Sequence, residues 1–285
     1  IRVSSSTIDD GNQSMRRLDA ELVSRGLARS RGEAQTAIDE HRVKIDGMLA
    51  RKAATGVSPQ SNLVVEGAGD SYVSRGAHKL LGVLESLPVS FTGRFVLDAG
   101  ASTGGFTEVA LKAGAAGVLA VDVGYGQIAW SLRTDSRVHV MERQNVRYLE
   151  AEQLPFIPQV VVADLSFISL TAVVPTLSAL IDPLGEMLLM VKPQFESGRE
   201  AVRASHGVVR EPEVRKAAVM RVAQAGIASG WRVAGVVASP LPGPKGNVEY
   251  FLWLAHKHEV PAMQQDTDTA DLVNMIDTAI HEGPA

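Results

Sequence analysis

The 285-residue sequence contains no cysteine. That excludes a disulfide scaffold, a thiolate zinc site and a cysteine nucleophile, and it fits a reducing compartment. Aromatic residues make up only 5% of the chain, and none lies between Arg16 and Glu66. Stacking of single-stranded bases is therefore not expected of that stretch. Long apolar runs are missing as well. The longest uncharged stretch, 165–181, carries Ser166, Ser169, Thr171, Pro175, Thr176 and Ser178. It is short of the ~20 apolar residues that a spanning helix needs. No apolar core followed by a small-residue cleavage site marks a secretory signal. Residues 1–14 are polar and patternless; a disordered leader is expected over 1–15, with Met15 before Arg16-Arg17 reading as a biological start. The expected location is cytoplasmic, without membrane contact.

The net charge of −4 conceals an asymmetry. Residues 16–80 carry eleven Lys/Arg against eight Asp/Glu, a net of +3, whereas residues from 81 onward carry a net of −6. A small basic module ahead of a larger acidic one points to a polyanion as the partner of the first. Leu18, Leu22 and Val23, stopped by Gly26, read as a short amphipathic helix with a glycine cap. Ser30-Arg-Gly-Glu33 is a capping box for a second helix, with Ala34, Ala37 and Ile38 as its buried stripe. Short strands follow around Val43-Lys-Ile45, a turn at Asp46-Gly47, and 62–65.

These residues resemble the S4 RNA-binding domain, chiefly in Arg17-Leu-Asp, Gly26-Leu-Ala-Arg-Ser-Arg-Gly-Glu-Ala, Val43-Lys-Ile-Asp-Gly and Leu63-Val-Val. The resemblance implies that the two helices present cations to folded RNA, with Arg17, Arg25, Arg29, Arg31, Arg42 and Lys44 as candidates. Arginine forks bind phosphate bidentately, and RNA helices are read mainly through shape, phosphates and 2′-hydroxyls. The expected organisation is an S4-like domain over 16–67, a linker over 68–74, rich in glycine and polar residues, and a second domain over 75–285.

In that second domain strands and helices alternate. Strands are expected at 94–98, 117–122, 138–141, 159–164, 187–191, 232–237 and 248–254. Helices are expected at 77–87, 104–113, 125–132, 170–180, 211–229 and 270–281. This alternation means an α/β fold with a mostly parallel sheet covered on both faces. The last two strands are joined by a Pro/Gly loop, so the last strand is expected to run antiparallel. Trp130 is expected to pack in the core, and 197–209 to form a polar lid.

The stretch Asp98-Ala-Gly100-Ala101-Ser102-Thr103-Gly104-Gly105 reads as a strand-to-helix turn whose glycines let the backbone approach a ligand closely. Asp122 ends the next strand, about 20 residues on, where an acid can hold ribose hydroxyls. Enzymes of NAD and of S-adenosylmethionine (AdoMet) share this geometry. Two points favour AdoMet: Asp98 can meet its cationic amino acid part, and the glycines are not spaced as G-x-G-x-x-G. Val123, Asn145 and Asp164 complete the candidate cofactor residues, Asn145 at the adenine end.

Four charged residues stand at element ends: Lys79 before the first strand of the second domain, Asp164 and Lys192 at the ends of two others, and Glu249 at the start of the last. Strand C-termini line the crevice of such a sheet, so Asp164 and Lys192 should meet beside the cofactor. Glu249 joins them if the last strand is antiparallel. The arrangement suits methylation of a ribose 2′-hydroxyl. The oxygen must be aligned with the methyl group and lose a proton. A lysine whose pKa is lowered by a second cation can accept it, and no metal is required.

With the glycine turn, this set resembles the RrmJ/FtsJ-like 2′-O-methyltransferases and their Lys-Asp-Lys-Glu tetrad. With the S4 domain in front, the architecture is similar to the TlyA (haemolysin A) family of rRNA 2′-O-methyltransferases over about 16–258. The most specific stretches are Val73-Ser-Arg-Gly-Ala-His-Lys-Leu80, the glycine turn through Thr107, Asp122-Val-Gly-Tyr-Gly-Gln-Ile-Ala-Trp130, Asp164-Leu-Ser-Phe-Ile-Ser169, Val191-Lys-Pro-Gln-Phe195 and Gly246-Asn-Val-Glu-Tyr-Phe251. The resemblance implies methylation of cytidine ribose in RNA of either or both ribosomal subunits, and a link to susceptibility to cyclic peptide antibiotics such as capreomycin. Two other readings compete: a non-catalytic RNA-binding or ribosome-assembly protein, and a membrane-active haemolysin, for which the sequence offers no spanning segment. A dehydrogenase is a more distant fourth.

Overall fold

The computed structural model describes residues 15–65 (26, 29 and 59 apart), 72–197, 207–257 (244 apart) and 265–283. The leader through residue 14, the helix stop Gly26, Arg29, linker residues 68–71 and lid residues 198–206 lie outside the described residues. The chain divides into two units, Ile1–Ser71 and Tyr72–Ala285.

In the first unit, β1 (Arg16–Arg17) leads into α1 (Leu18–Ser24) and α2 (Arg31–Asp39). Ser30 caps α2 by accepting the Glu33 N–H at 3.2 Å. Leu18, Leu22, Ala34, Ala37 and Ile38 turn inward as one apolar face. β2 (Val43–Ile45) and β3 (Met48–Leu49) form a hairpin across Asp46 and Gly47, whose φ values are 50° and 84°. Positive φ at both turn residues matches the twist of the flanking strands. β4 (Gly56–Val57) pairs antiparallel with β1, and β5 (Leu63–Val65) pairs antiparallel with β2.

The second unit begins at Tyr72, so residues 72–74 belong to it rather than to a linker. The Val73 N–H donates to Glu108 at 2.6 Å, and the Tyr72 ring lies under Lys112 at 4.0 Å. After α3 (Gly76–Leu84) come β6 (Phe95–Ala99), α4 (Gly105–Lys112), β7 (Gly117–Val121), α5 (Trp130–Arg133) and β8 (Val138–Met141). Next are β9 (Val160–Ala163), α6 (Val174–Leu180), β10 (Glu186–Val191), α7 (Pro193–Glu196), α8 (Pro212–Ala228), β11 (Trp231–Ala238), β12 (Tyr250–Lys257) and α9 (Gln265–Glu282). The seven strands stand in the order β11-β12-β10-β9-β6-β7-β8, and only β12 runs against its neighbours.

Successive strand residues face opposite layers. Leu97, Ala99, Val161, Ala163 and Leu189 pack with α6, α8 and α9. Val96, Val118, Val162 and Leu188 pack with α3, α4 and α5. Asp98 continues the Val96 face and is drawn into that apolar layer, 1% exposed. β12 is internal and antiparallel to β10, with Tyr250 opposite Val191. The residues one step beyond, Lys192 and Glu249, therefore emerge at the same edge of the sheet.

Three local expectations differ. The helix expected at 125–132 shortens to α5. Carboxylates take up the preceding amides: Gly124 N–H donates to Asp122 at 2.6 Å and Gly126 N–H to Glu142 at 2.8 Å. Trp130 opens α5 with 75% of its surface exposed instead of packing in the core. The helix expected at 170–180 splits into a 3₁₀ turn at Leu170–Ala172 and α6, because Pro175 lacks an N–H and belongs in a first turn. In addition, Glu249 immediately precedes β12 rather than starting it.

Candidate active site

Gly100 has φ +87°, and a Cβ there would lie 2.5 Å from the Asp164 carbonyl oxygen. The turn after β6 therefore passes directly against the end of β9, and only glycine fits. Gly104 caps α4 in the left-handed conformation, φ 97°. Gly100→Ala is expected to lower the melting temperature and to cost more than tenfold in AdoMet affinity, read by calorimetry. Unchanged binding would remove the turn from the cofactor site.

The turn walls a cavity of about 270 Å³. Of the cofactor candidates, Asp98, Gly100, Ala101, Ser102, Thr103, Gly105 and Asp164 line it; Gly104, Asp122, Val123 and Asn145 do not. Asp122 accepts the N–H groups of Ser102 (2.8 Å) and Gly124 (2.6 Å), and so shapes the turn. Val123 beside it is 69% exposed, and Asn145 caps a short turn by accepting the Arg147 N–H at 3.0 Å. Ser74, Arg75, Phe106 and Pro242 also line the cavity, none weighed as a ligand residue from the sequence except Phe106.

Asp98 is the most perturbed acid. Its Oδ2 accepts the Thr107 hydroxyl at 2.6 Å, while Oδ1 is buried without a hydrogen-bond partner. Burial, with Asp164 and Asp122 nearby, pushes its pKa up to about 7. An orphaned carboxylate oxygen beside a cavity fits a ligand that brings its own cation, such as the ammonium of AdoMet.

The four charged residues form two ion pairs. Lys79 Nζ lies 2.5 Å from Glu249 Oε2, and Lys192 Nζ lies 2.5 Å from Asp164 Oδ1. Lys79 and Asp164 both line the cavity, so each pair touches it through one member. Lys192 also donates to the Ser166 hydroxyl at 3.1 Å, a partner that strand-end reasoning did not reveal. Lys79 and Lys192 are each 8% exposed and Glu249 is 1% exposed. Removing one member of such a buried pair costs about 3–5 kcal/mol, because a charge is left without its partner. Beside them Phe167, with φ 65° and 91% of its surface exposed, faces Phe195 at 5.2 Å between ring centres. Its exposed ring was not legible as a functional residue, although Asp164-Leu-Ser-Phe stood out as a motif.

The first unit disposes its cations unequally. Arg31 is exposed at the start of α2. Arg17 pairs with Asp19 through both oxygens at 3.0 Å, and Arg42 pairs with Glu40 at 2.6 Å. Lys44 is half-buried on the central strand β2. Arg25 instead ties the unit together, donating to Glu21 (2.9 Å) and to the carbonyls of Ser61 (2.5 Å) and Ser58 (3.0 Å). Arg31→Ala is expected to weaken RNA binding uniformly and to lower the salt dependence by about one phosphate contact. Arg25→Ala is expected to destabilise the unit by ~2 kcal/mol or more, seen as an earlier thermal transition.

Among the described residues, no group of three or more His, Asp or Glu is placed to hold a metal ion. No helix among them is long and apolar enough to cross a membrane.

A mostly parallel seven-stranded sheet with an antiparallel last strand, a glycine turn after β6 and acids at the strand ends define an AdoMet-dependent methyltransferase. The FtsJ-like methyltransferase family matches residues 72–256, and the S4 domain matches 16–63. The chain belongs to the TlyA family, in which an S4 domain precedes an FtsJ-like methyltransferase domain. It is 50% identical to the 16S/23S rRNA (cytidine-2′-O)-methyltransferase TlyA of Mycobacterium tuberculosis, over 94% of this chain and 98% of the relative. It is 36% identical to Hemolysin A of Brachyspira hyodysenteriae, over 84% of this chain and 98% of that protein. A solved structure that carries the hemolysin name, from Streptococcus thermophilus, superposes with a TM-score of 0.66 at 32% identity, covering 95% of this chain and 97% of that one.

Proposed function

We propose that this protein methylates the 2′-oxygen of a cytidine ribose in ribosomal RNA, in the cytoplasm, with the S4 unit holding the RNA. The observation that carries the proposal is the convergence of two lysine–carboxylate pairs on the cavity beside the glycine turn. AdoMet supplies an electrophilic methyl group on a sulfonium. Asp98 Oδ1, buried without a partner, would hold the ammonium of its amino acid part. The turn from Gly100 to Gly105 would lie against it, and Asp122, Val123 and Asn145, outside the cavity lining, would hold its ribose and adenine.

The remaining steps belong to this chain. Asp164 and Ser166 hold two sides of the Lys192 amine. In its neutral form that amine keeps a lone pair for the proton of the 2′-hydroxyl. Lys192 Nζ would take up the proton of the 2′-hydroxyl as that oxygen is methylated. Lys79, fixed by Glu249, supplies a second cation that stabilises the oxygen as it loses its proton. The exposed Phe167 ring offers a platform for a base turned out of its stack.

The test uses tritiated AdoMet and ribosomal RNA or subunits. Label recovered in 2′-O-methylcytidine after nuclease digestion is the expected result. Label in a base, or no label in RNA, overturns the proposal. AdoMet binding absent in the micromolar range would leave the non-catalytic RNA-binding reading.

A further inference from the structure

We infer that Glu196, one helical turn after Lys192, is a positioning residue that sets the Asp164–Lys192 pair by fastening the segment after Lys192 to the loop after Asp164. The inference rests on the methyl-transfer reading above. Asp164 leaves the sheet as its N–H bonds to the Ala99 carbonyl at 3.0 Å. The following loop must then hold Ser166 against Lys192 while Phe167 adopts a left-handed φ of 65°. A loop with such a residue in it drifts unless something outside it over-determines its course.

Glu196 supplies that constraint from α7, the short helix that follows Lys192. Its Oε2 accepts the Ser169 hydroxyl at 2.5 Å, and its Oε1 accepts the Leu170 N–H at 2.7 Å. Its own backbone is anchored twice. Arg221 on α8 donates to its carbonyl, and its N–H bonds to the Lys192 carbonyl at 3.3 Å. Phe195 N–H also bonds to that Lys192 carbonyl, at 2.8 Å. One turn of chain thus connects the Glu196 carboxylate to Lys192, and its two donors, Ser169 and Leu170, follow Asp164 by five and six residues.

Glu196 is only 5% exposed, and burial pushes its carboxyl pKa up. An apolar side chain would fill the position without that desolvation. What an apolar side chain cannot do is accept two donors from the loop after β9. A misplacement of about 1 Å at reacting groups costs roughly 10²-fold in rate, so a tie that holds two loops in register acts on turnover.

The experiment compares full-length wild type, Glu196→Ala, Glu196→Gln and Ser169→Ala. Methyl transfer to ribosomal RNA, AdoMet calorimetry and amide hydrogen exchange are measured on each. Glu196→Ala should lower kcat at least tenfold, while KM for RNA and AdoMet affinity stay within about twofold. Exchange should quicken in 164–170 and 192–196. Glu196→Gln keeps one acceptor oxygen and should recover most of the rate, and Ser169→Ala should fall between. Should Glu196→Ala not fold, Ser169→Ala and Glu196→Gln carry the same comparison. Wild-type kcat in Glu196→Ala, or a loss of AdoMet affinity equal to the loss of rate, overturns the inference. If wild type itself transfers no methyl group to RNA, the functional proposal falls, and hydrogen exchange alone decides whether Glu196 ties the loops: unchanged exchange refutes it.

Discussion

Lys192→Ala is expected to bind AdoMet nearly as wild type does and to transfer methyl groups about 10²–10⁴-fold more slowly. That is the range for loss of a positioned proton acceptor. The split follows from geometry. Lys192 meets Asp164 and Ser166 and does not line the cavity beside the glycine turn, whereas Asp98 and the turn do. Lys192→Arg should not rescue the rate, because a guanidinium stays protonated and has no lone pair to offer. Single-turnover transfer from labelled AdoMet, beside calorimetry of each variant, reads both halves. A wild-type rate in Lys192→Ala would sink the assignment of the proton acceptor and leave the pair as structural.

The second large effect concerns Asp98 and pH. With a pKa near 7 in the folded protein, against 3.8 for an unperturbed carboxyl, Asp98 holds its proton more tightly when folded than when unfolded. Its ionisation therefore works against stability as pH rises between those two values. A bound ammonium reverses the preference, because the cation favours the carboxylate. AdoMet binding below pH 7 must then release a proton from Asp98. Affinity should rise up to tenfold per pH unit from pH 5 towards 7 and level off above it. Calorimetry at pH 6 in two buffers of different protonation enthalpy should report that proton. Asp98→Asn should melt higher than wild type at pH 8, where wild type carries the buried charge, and lose that advantage at pH 5. Its AdoMet affinity should be weaker and nearly independent of pH. No proton release in wild type, or the same pH slope in Asp98→Asn, would detach this residue from the cofactor.

Both predictions concern residues whose position in the chain was informative. Asp98, Asp164 and Lys192 each sit at the end of a β-branched or apolar run, and a charge there faces the ligand edge of a parallel sheet. Glu249 could be placed only on condition that its strand ran antiparallel, and β12 does run so. Arg25 and Arg31 looked alike as cations of a helical pair. One proves to be internal framework and the other exposed, since what separates them is contact with the carbonyls of Ser58 and Ser61. The segment at 125–132 has helical spacing of its apolar residues. Its Gly126 amide nevertheless goes to Glu142, sixteen residues on, and the Gly124 amide just before it goes to Asp122.

What the sequence determined by itself is local: apolar periodicity, capping residues and glycine placement produce the strands, the helices and the tight turn after β6, because those choices depend on neighbours a few residues away. What only the tertiary structure decided is partnership. Lys79 meets Glu249 across 170 positions, and Glu196 reaches a loop 26 residues earlier. Strand order and register set those meetings, and both result from the packing of the whole sheet.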